Sequence, residues 1–132
     1  MERSTPLQDT GDGTENVTLA HGTSAGGLTL RTGGRTDVVA RRVTIEPGGT
    51  TGWHYHPGQA LVIVRAGTLT RVLHDGSVET NPAGQAFVEE GGPAHVHIGH
   101  NLGGEPVVLH VTYLVPAGGP LSVAAVAPAL RR

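Results

Sequence analysis

The sequence predicts a single all-β domain, a sandwich or a barrel of short strands. Its 132 residues include 21 glycines and 9 prolines, which are spread along the chain and do not form one low-complexity block. Between them lie short segments rich in Val, Thr, Ile and Leu, spaced about 8–12 residues apart as in sandwiches and barrels. No segment keeps a helical apolar period over three turns, and Pro128 interrupts the best candidate, LSVAAVAPAL.

The strands are predicted from these segments in chain order. The run at 60–67, ALVIVRAG, is almost wholly apolar, as expected of a strand buried on both faces. Within 68–81, Asp75-Gly76 is a strong signal for a tight hairpin turn. The other predicted strand segments are 16–22, 27–32, 37–49, 84–90, 94–101 and 105–119.

Three regions are predicted along the chain. Residues 1–16 are polar and are expected to form a flexible arm, residues 17–120 hold the strands of the barrel, and residues 121–132 are expected to form a C-terminal tail. A chain of this length makes one domain and buries a substantial core.

Composition excludes several kinds of partner. The net charge is −2 and only 15% of the residues are charged, so no nucleic acid partner and no membrane surface is expected. No apolar run of about 18 residues is present to span a membrane, and the first residues lack the apolar core of a secretory signal. Without cysteine the chain has neither disulfides nor thiolate metal ligands, and a cytoplasmic location is the default expectation.

Two His-x-His pairs are the strongest functional signal in the sequence. They are His54-Tyr55-His56 and His95-Val96-His97, which together account for four of the eight histidines. In a strand, residues i and i+2 face the same side about 6.6 Å apart, so two imidazoles can bind one metal at about 2.1 Å each. Either these pairs converge on a metal ion, or they are polar positions on exposed strands.

The spacing around the first pair resembles the first cupin motif, G-x5-H-x-H-x3-E-x6-G. Gly48, His54, His56 and Gly67 match the motif, but Ala60 stands where the motif has its glutamate. The second motif ends in H-x3-N, which His97 and Asn101 match, whereas Gly92-Pro93-Ala94-His95 resembles its G-x2-H step. The resemblance covers residues 36–116.

This resemblance implies a cupin-type double-stranded β-helix, a jelly-roll-like barrel with a metal near its centre. It implies His54, His56 and His97 as metal ligands, with His95 as an alternative third ligand or as the base that accepts a proton from the substrate. Gln59 becomes an alternative fourth ligand if the turn at Pro57-Gly58 breaks the strand alternation. Trp53 and Tyr55 should face away from His54 and serve in packing.

Three histidines without a carboxylate would hold one divalent transition metal (Fe, Mn, Ni or Zn) and leave positions open for a ligand. The sequence therefore predicts a metal-dependent enzyme that acts on a small organic molecule, by oxygenase chemistry or by metal-assisted isomerisation or cyclisation. The alternative is a non-catalytic cupin that binds a small molecule or a metal. A homodimer is expected, with residues 16–32 adding to the partner's sheet or capping it.

Overall fold

The computed structural model describes residues 11–129, and their regular secondary structure is almost entirely β-strand. Within these residues, nine strands and one turn of 3₁₀ helix follow each other. They are β1 Thr36–Ile45, β2 His54–Tyr55, β3 Ala60–Ala66, β4 Thr68–Val72, β5 Val78–Pro82, β6 Ala86–Glu89, the 3₁₀ turn Pro93–His95, β7 Ile98–His100, β8 Val107–Pro116 and β9 Val123–Ala124.

The strands form three antiparallel sheets. The largest has the order β1-β8-β3-β6, a second has the order β5-β4-β7, and β2 pairs with β9. Alternate residues of β3 and β8 are buried, and they pack against Leu69 of β4 in one hydrophobic cluster. The two larger sheets therefore enclose a common core, and the all-β, single-domain prediction is confirmed.

The predicted hairpin lies between β4 and β5. Asp75 accepts hydrogen bonds from the backbone N–H of Ser77 at 3.0 Å and from its hydroxyl at 2.7 Å. Gly76 has a φ of +84°, a conformation that side chains with a Cβ rarely adopt. The Asp-Gly pair thus closes the turn that its chemistry predicts.

The two earliest predicted strands are wrong. In residues 16–32 only Thr23 makes a bridge, parallel to Gln85, and Val17 and Leu19 are both 69% exposed. Their alternating pattern finds no neighbouring strand on which to bury an apolar face. Residues 11–16 are likewise exposed and without strand or helix, while residues 1–10 of the predicted arm lie outside the described part of the chain.

Two other segments also differ from prediction. The predicted strand 94–101 starts as the 3₁₀ turn after Pro93 and becomes a strand only at Ile98–His100. Part of the predicted C-terminal tail is β9, which pairs with β2 beside the first histidine pair. Residues 130–132 of that tail lie outside the described residues. Within residues 11–129, no helix has the length and apolar character needed to cross a membrane.

Candidate metal centre

Three of the predicted ligands meet inside the barrel. His54 lies on β2, and its backbone pairs with His97 through two hydrogen bonds, N–H to O of 2.9 and 2.8 Å. Residues opposite each other in such a pair project from the same face. The ring centroids of His54 and His97 are 4.4 Å apart, and that of His56 lies 4.9 Å from His54 and 5.1 Å from His97.

Each of these histidines is held from behind by a backbone carbonyl. The Nδ1 atoms of His54, His56 and His97 lie 2.8, 3.0 and 2.9 Å from the carbonyl oxygens of Gly52, Leu121 and His95. A carbonyl only accepts, so Nδ1 donates to it, and Nε2 is the ring nitrogen left to bind a metal. Histidines that bind metals are oriented in this way.

The arrangement fits a metal ion. One ring nitrogen from each of His54, His56 and His97 lies within 4.8 Å of the other two. His56 and His97 are only 3% and 4% exposed, and Nε2 of His97 is buried without a hydrogen-bond partner. A buried polar atom without a partner is costly, and a metal at this point would satisfy it.

A carboxylate that the sequence reasoning missed also reaches the site. Oε1 of Glu89, on β6, lies 3.0 Å from Nε2 of His56 and 3.3 Å from Nε2 of His97. The Glu89 side chain is only 11% exposed. A carboxylate therefore lies beside the histidines, although Ala60 stands where the motif has its glutamate.

The buried charges at the site shift each other's pKa. Burial alone would raise the pKa of Glu89, but hydrogen bonding and charge from His56 and His97 hold it far below its usual range. Burial alone would lower the pKa of His97, but the Glu89 carboxylate raises it. Burial and the neighbouring imidazoles lower the pKa of His54. His54 is thus held neutral, the form that binds metals.

Arg71, on β4, contacts the Glu89 carboxylate at Oε2, the oxygen that does not face the histidines. Its Nη1 lies 3.5 Å from Oε2 of Glu89, and its guanidinium stacks 3.8 Å above the Phe87 ring. Nε donates to Asn81 at 3.0 Å and Nη2 to Glu79 at 2.8 Å. A buried guanidinium with this many fixed partners gives the Glu89 carboxylate one orientation.

Gln59 is not at the centre. Its Oε1 accepts from the backbone N–H of Arg31 at 2.8 Å, and its Nε2 donates to the carbonyl of Thr29 and to Glu90, both at 3.2 Å. These bonds turn its side chain toward residues 29–31 and Glu90, and its amide fastens residues 29–31 to the barrel. The idea of Gln59 as a fourth ligand is therefore wrong.

His95 lies near the centre but does not share a strand face with His97. It ends the 3₁₀ turn, and its ring makes an edge contact with His74 at 5.1 Å between centroids. The assumption of a regular strand through 95–97 is therefore wrong. The backbone carbonyl of His95 orients His97, while its side chain lines a neighbouring cleft.

Besides a small cavity of about 60 Å³ that is lined by all three histidines and Glu89, two larger clefts reach the histidines. One, of about 390 Å³, is lined by His54 and His56 together with Trp53, Thr51, Tyr113 and Ser122. The other, of about 330 Å³, is lined by His97 and Glu89 together with Arg71, His74, Phe87 and His95. Trp53 thus borders the first cleft, although sequence alternation had assigned it to packing.

The comparisons with known proteins agree with this fold. The model of the cupin domain family matches residues 41–113, more than half of the chain. No curated protein matches the chain.

Solved structures share the architecture. An uncharacterized conserved protein with a double-stranded beta-helix domain from Klebsiella pneumoniae subsp. pneumoniae MGH 78578 is 26% identical, with a TM-score of 0.56 over 68% of this chain and 76% of that one. An oxalate oxidase in complex with the substrate analogue glycolate is 26% identical, with a TM-score of 0.55 over 65% of this chain and 45% of that one.

The polyketide cyclase RemF from Streptomyces resistomycificus is 23% identical, with a TM-score of 0.56 over 67% of this chain and 61% of that one, a likeness of fold alone. This chain spans less than half of the oxalate oxidase chain. The matched family model, the double-stranded architecture and the position of the histidines lead to one conclusion: the chain belongs to the cupin family.

Proposed function

We propose that this protein is a metal-dependent cupin enzyme that acts on a small organic molecule. The observation that carries the proposal is the convergence of His54, His56 and His97, each with Nδ1 bound to a backbone carbonyl. Three histidines that served only in packing would not be expected to direct one ring nitrogen each toward a single buried point.

His54, His56 and His97 would hold one divalent transition metal: Fe, Mn, Ni or Zn. Imidazole binds all four, so the donor set does not choose among them. Such an ion would supply Lewis-acid chemistry toward an oxygen-bearing substrate, or redox chemistry with O₂. The backbone carbonyls behind the rings fix the imidazoles before the ion arrives, which lowers the cost of binding it.

The cleft beside Trp53 offers room for a small substrate. Its volume of about 390 Å³ lies within the range of small-molecule sites. Trp53, Val43 and Tyr113 give it an aromatic and apolar wall, and Thr51 and Ser122 add hydroxyl groups. We therefore favour a compact, partly apolar molecule with one or two oxygen atoms that face His54 and His56.

His95 is the proposed proton acceptor. It borders the cleft that contains His97 and Glu89, and it contributes only its backbone carbonyl to the orientation of His97. His95 does not line the cleft beside Trp53, so it would accept a proton only from a substrate bound in this second cleft, whether the reaction is an oxygenation, an isomerisation or a cyclisation. Glu89 adds a negative charge beside the histidines.

Metal content tests whether the three histidines bind a metal ion. Protein purified without chelator should contain one divalent ion per chain by elemental analysis, and a His54→Ala, His56→Ala double variant should contain little. His21→Ala removes an exposed histidine and serves as the matched control. Full metal content in the double variant would contradict the proposal.

Turnover tests whether the protein is an enzyme. The metal-loaded protein is screened against small oxygenated compounds by thermal shift, and each compound that binds is then followed by NMR and by oxygen uptake. Conversion of a bound compound supports the enzyme. Tight binding without conversion across the hits would favour the alternative, a non-catalytic binding module.

A further inference from the structure

We propose that Glu89 is the fourth protein ligand of the metal and takes the place of the glutamate that is absent at position 60. This inference rests on the proposed metal site and adds a residue from a different strand to it. Three features support it: the register of β3 and β6, the face of the histidines that Glu89 approaches, and the distances at the site.

The register places Glu89 directly beside Ala60. In the antiparallel pair of β3 and β6, Ala60 stands opposite Glu89, and on its other side Ala60 stands opposite Tyr113 of β8. Directly opposite residues project from the same face with Cβ atoms about 4.5–5.5 Å apart. A side chain as long as glutamate crosses that distance, so a carboxylate based at 89 reaches the point that one based at 60 would reach.

The row formed by Tyr113, Ala60 and Glu89 borders His56. The His56 ring lies 5.4 Å from the Tyr113 ring between centroids, and its Nε2 lies 3.0 Å from Glu89. His56 thus contacts both neighbours of Ala60 in the row. Ala60, between these two neighbours, is fully buried and has a small side chain.

Glu89 approaches the histidines from the side that faces a metal. A carboxylate that only orients a ligating histidine binds the ring nitrogen remote from the metal. Here that nitrogen, Nδ1, is already bound to a backbone carbonyl in both His56 and His97. Oε1 of Glu89 instead lies near the two Nε2 atoms, which are the ones left to coordinate.

The distances suit ligands that share one ion. Two ligand atoms bound at about 2.1 Å lie about 3.0 Å apart at right angles and about 3.4 Å apart at the tetrahedral angle. The observed separations from Oε1 to the two Nε2 atoms are 3.0 and 3.3 Å. The contact with His97 has the distance of an ion pair, and a metal shared with Glu89 would also give the buried Nε2 of His97 a partner.

Affinity measurements on three single variants test the inference. Mn(II) and Zn(II) are titrated calorimetrically into metal-free protein, with circular dichroism and thermal unfolding to verify the fold. Glu89→Ala, and Glu89→Gln with its conserved volume, should each lower metal affinity by about 100-fold or more, since loss of even a supporting residue costs about 10–100-fold. Glu90→Ala, which removes the adjacent exposed carboxylate, should bind as the wild type does.

A swap of the two positions tests the register. Ala60→Glu combined with Glu89→Ala returns the carboxylate to β3, and we expect metal affinity within about tenfold of the wild type, since directly opposite residues project from the same face of the sheet. A folded double variant that binds no better than Glu89→Ala contradicts the inference.

Cobalt spectroscopy distinguishes a Glu89 carboxylate that coordinates the metal from one that only lies near it. The visible absorption of bound Co(II) depends on the number and kind of ligands, so saturated Glu89→Gln should give a spectrum different from that of the wild type. An unchanged spectrum, or unchanged affinity in both Glu89 variants, would overturn the assignment. Absence of metal binding by the wild type would instead overturn the proposed metal site itself.

Discussion

The close approach of two glycines beside the metal centre leads to a specific prediction about Gly91. A Cβ atom at position 91 would lie 2.5–2.6 Å from the backbone of Gly58, far inside normal contact distance. Gly91 follows Glu89 by two residues, and the next residue, Gly92, donates its N–H to the carbonyl of His56 at 2.7 Å. The contact therefore holds the segment with Glu89 against the segment with His56.

The size of the effect follows from this geometry. Carbon atoms pack at about 3.5–4.0 Å, so Gly91→Ala must separate the two backbones by about 1 Å. Overpacking of this kind costs about 1–3 kcal/mol of unfolding free energy. The same separation moves Glu89 away from His56, and we expect metal affinity to fall about tenfold, the lower end of the effect of altered supporting groups.

Urea denaturation of the metal-free protein and calorimetric metal titration measure the two effects. Gly104→Ala is the matched control, because a Cβ at Gly104 meets no atom within 4 Å and the backbone there has no positive φ. The control should lie within about 0.5 kcal/mol of the wild type. A Gly91→Ala variant that equals this control in stability and in metal affinity would refute the reasoning.

Three further predictions concern the loop after β7, the proposed base and the assembly. Asn101→Ala should lower the unfolding free energy by about 2–4 kcal/mol in urea, because its buried amide donates to the carbonyls of Ile45 and Glu105 at 2.9 and 2.7 Å; a change below about 0.5 kcal/mol would contradict this role. His95→Ala keeps the backbone carbonyl that orients His97, so metal affinity should be retained. Turnover of an identified substrate should fall about 10²–10⁴-fold. Undiminished turnover would exclude His95 as the base. Light scattering at micromolar concentration should give twice the chain mass of 13.5 kDa, and deletion of residues 1–32 should weaken the dimer; a monomeric wild type, or an unaffected dimer after deletion, counts against the predicted assembly.

The correct sequence predictions rest on local patterns. The run at 60–67 became the central strand β3, and Asp75-Gly76 became the β4–β5 turn, because each depends on chemistry within a few residues. Asn101, which matches the end of the second cupin motif, donates from its side chain to the carbonyls of Ile45 and Glu105. The segments 16–22 and 27–32 show the limit of such patterns, since alternation makes a strand only where a partner strand is available.

The sequence by itself determined the all-β class, the cupin resemblance and the two histidine pairs, because glycine, proline and His-x-His spacings act over short distances along the chain. Only the tertiary structure decided which side chains and carbonyl groups lie beside these histidines. The pairing of β3 with β6 brings Glu89 beside Ala60, 29 positions away in the printed sequence, and the fold of β4 places Arg71 behind it. Strand β9 brings the Leu121 carbonyl to His56 from a segment that the sequence assigned to a tail. The physical reason is that the register between strands is fixed by the packing of the whole barrel. That packing depends on contacts between residues far apart in the sequence, which local patterns do not specify.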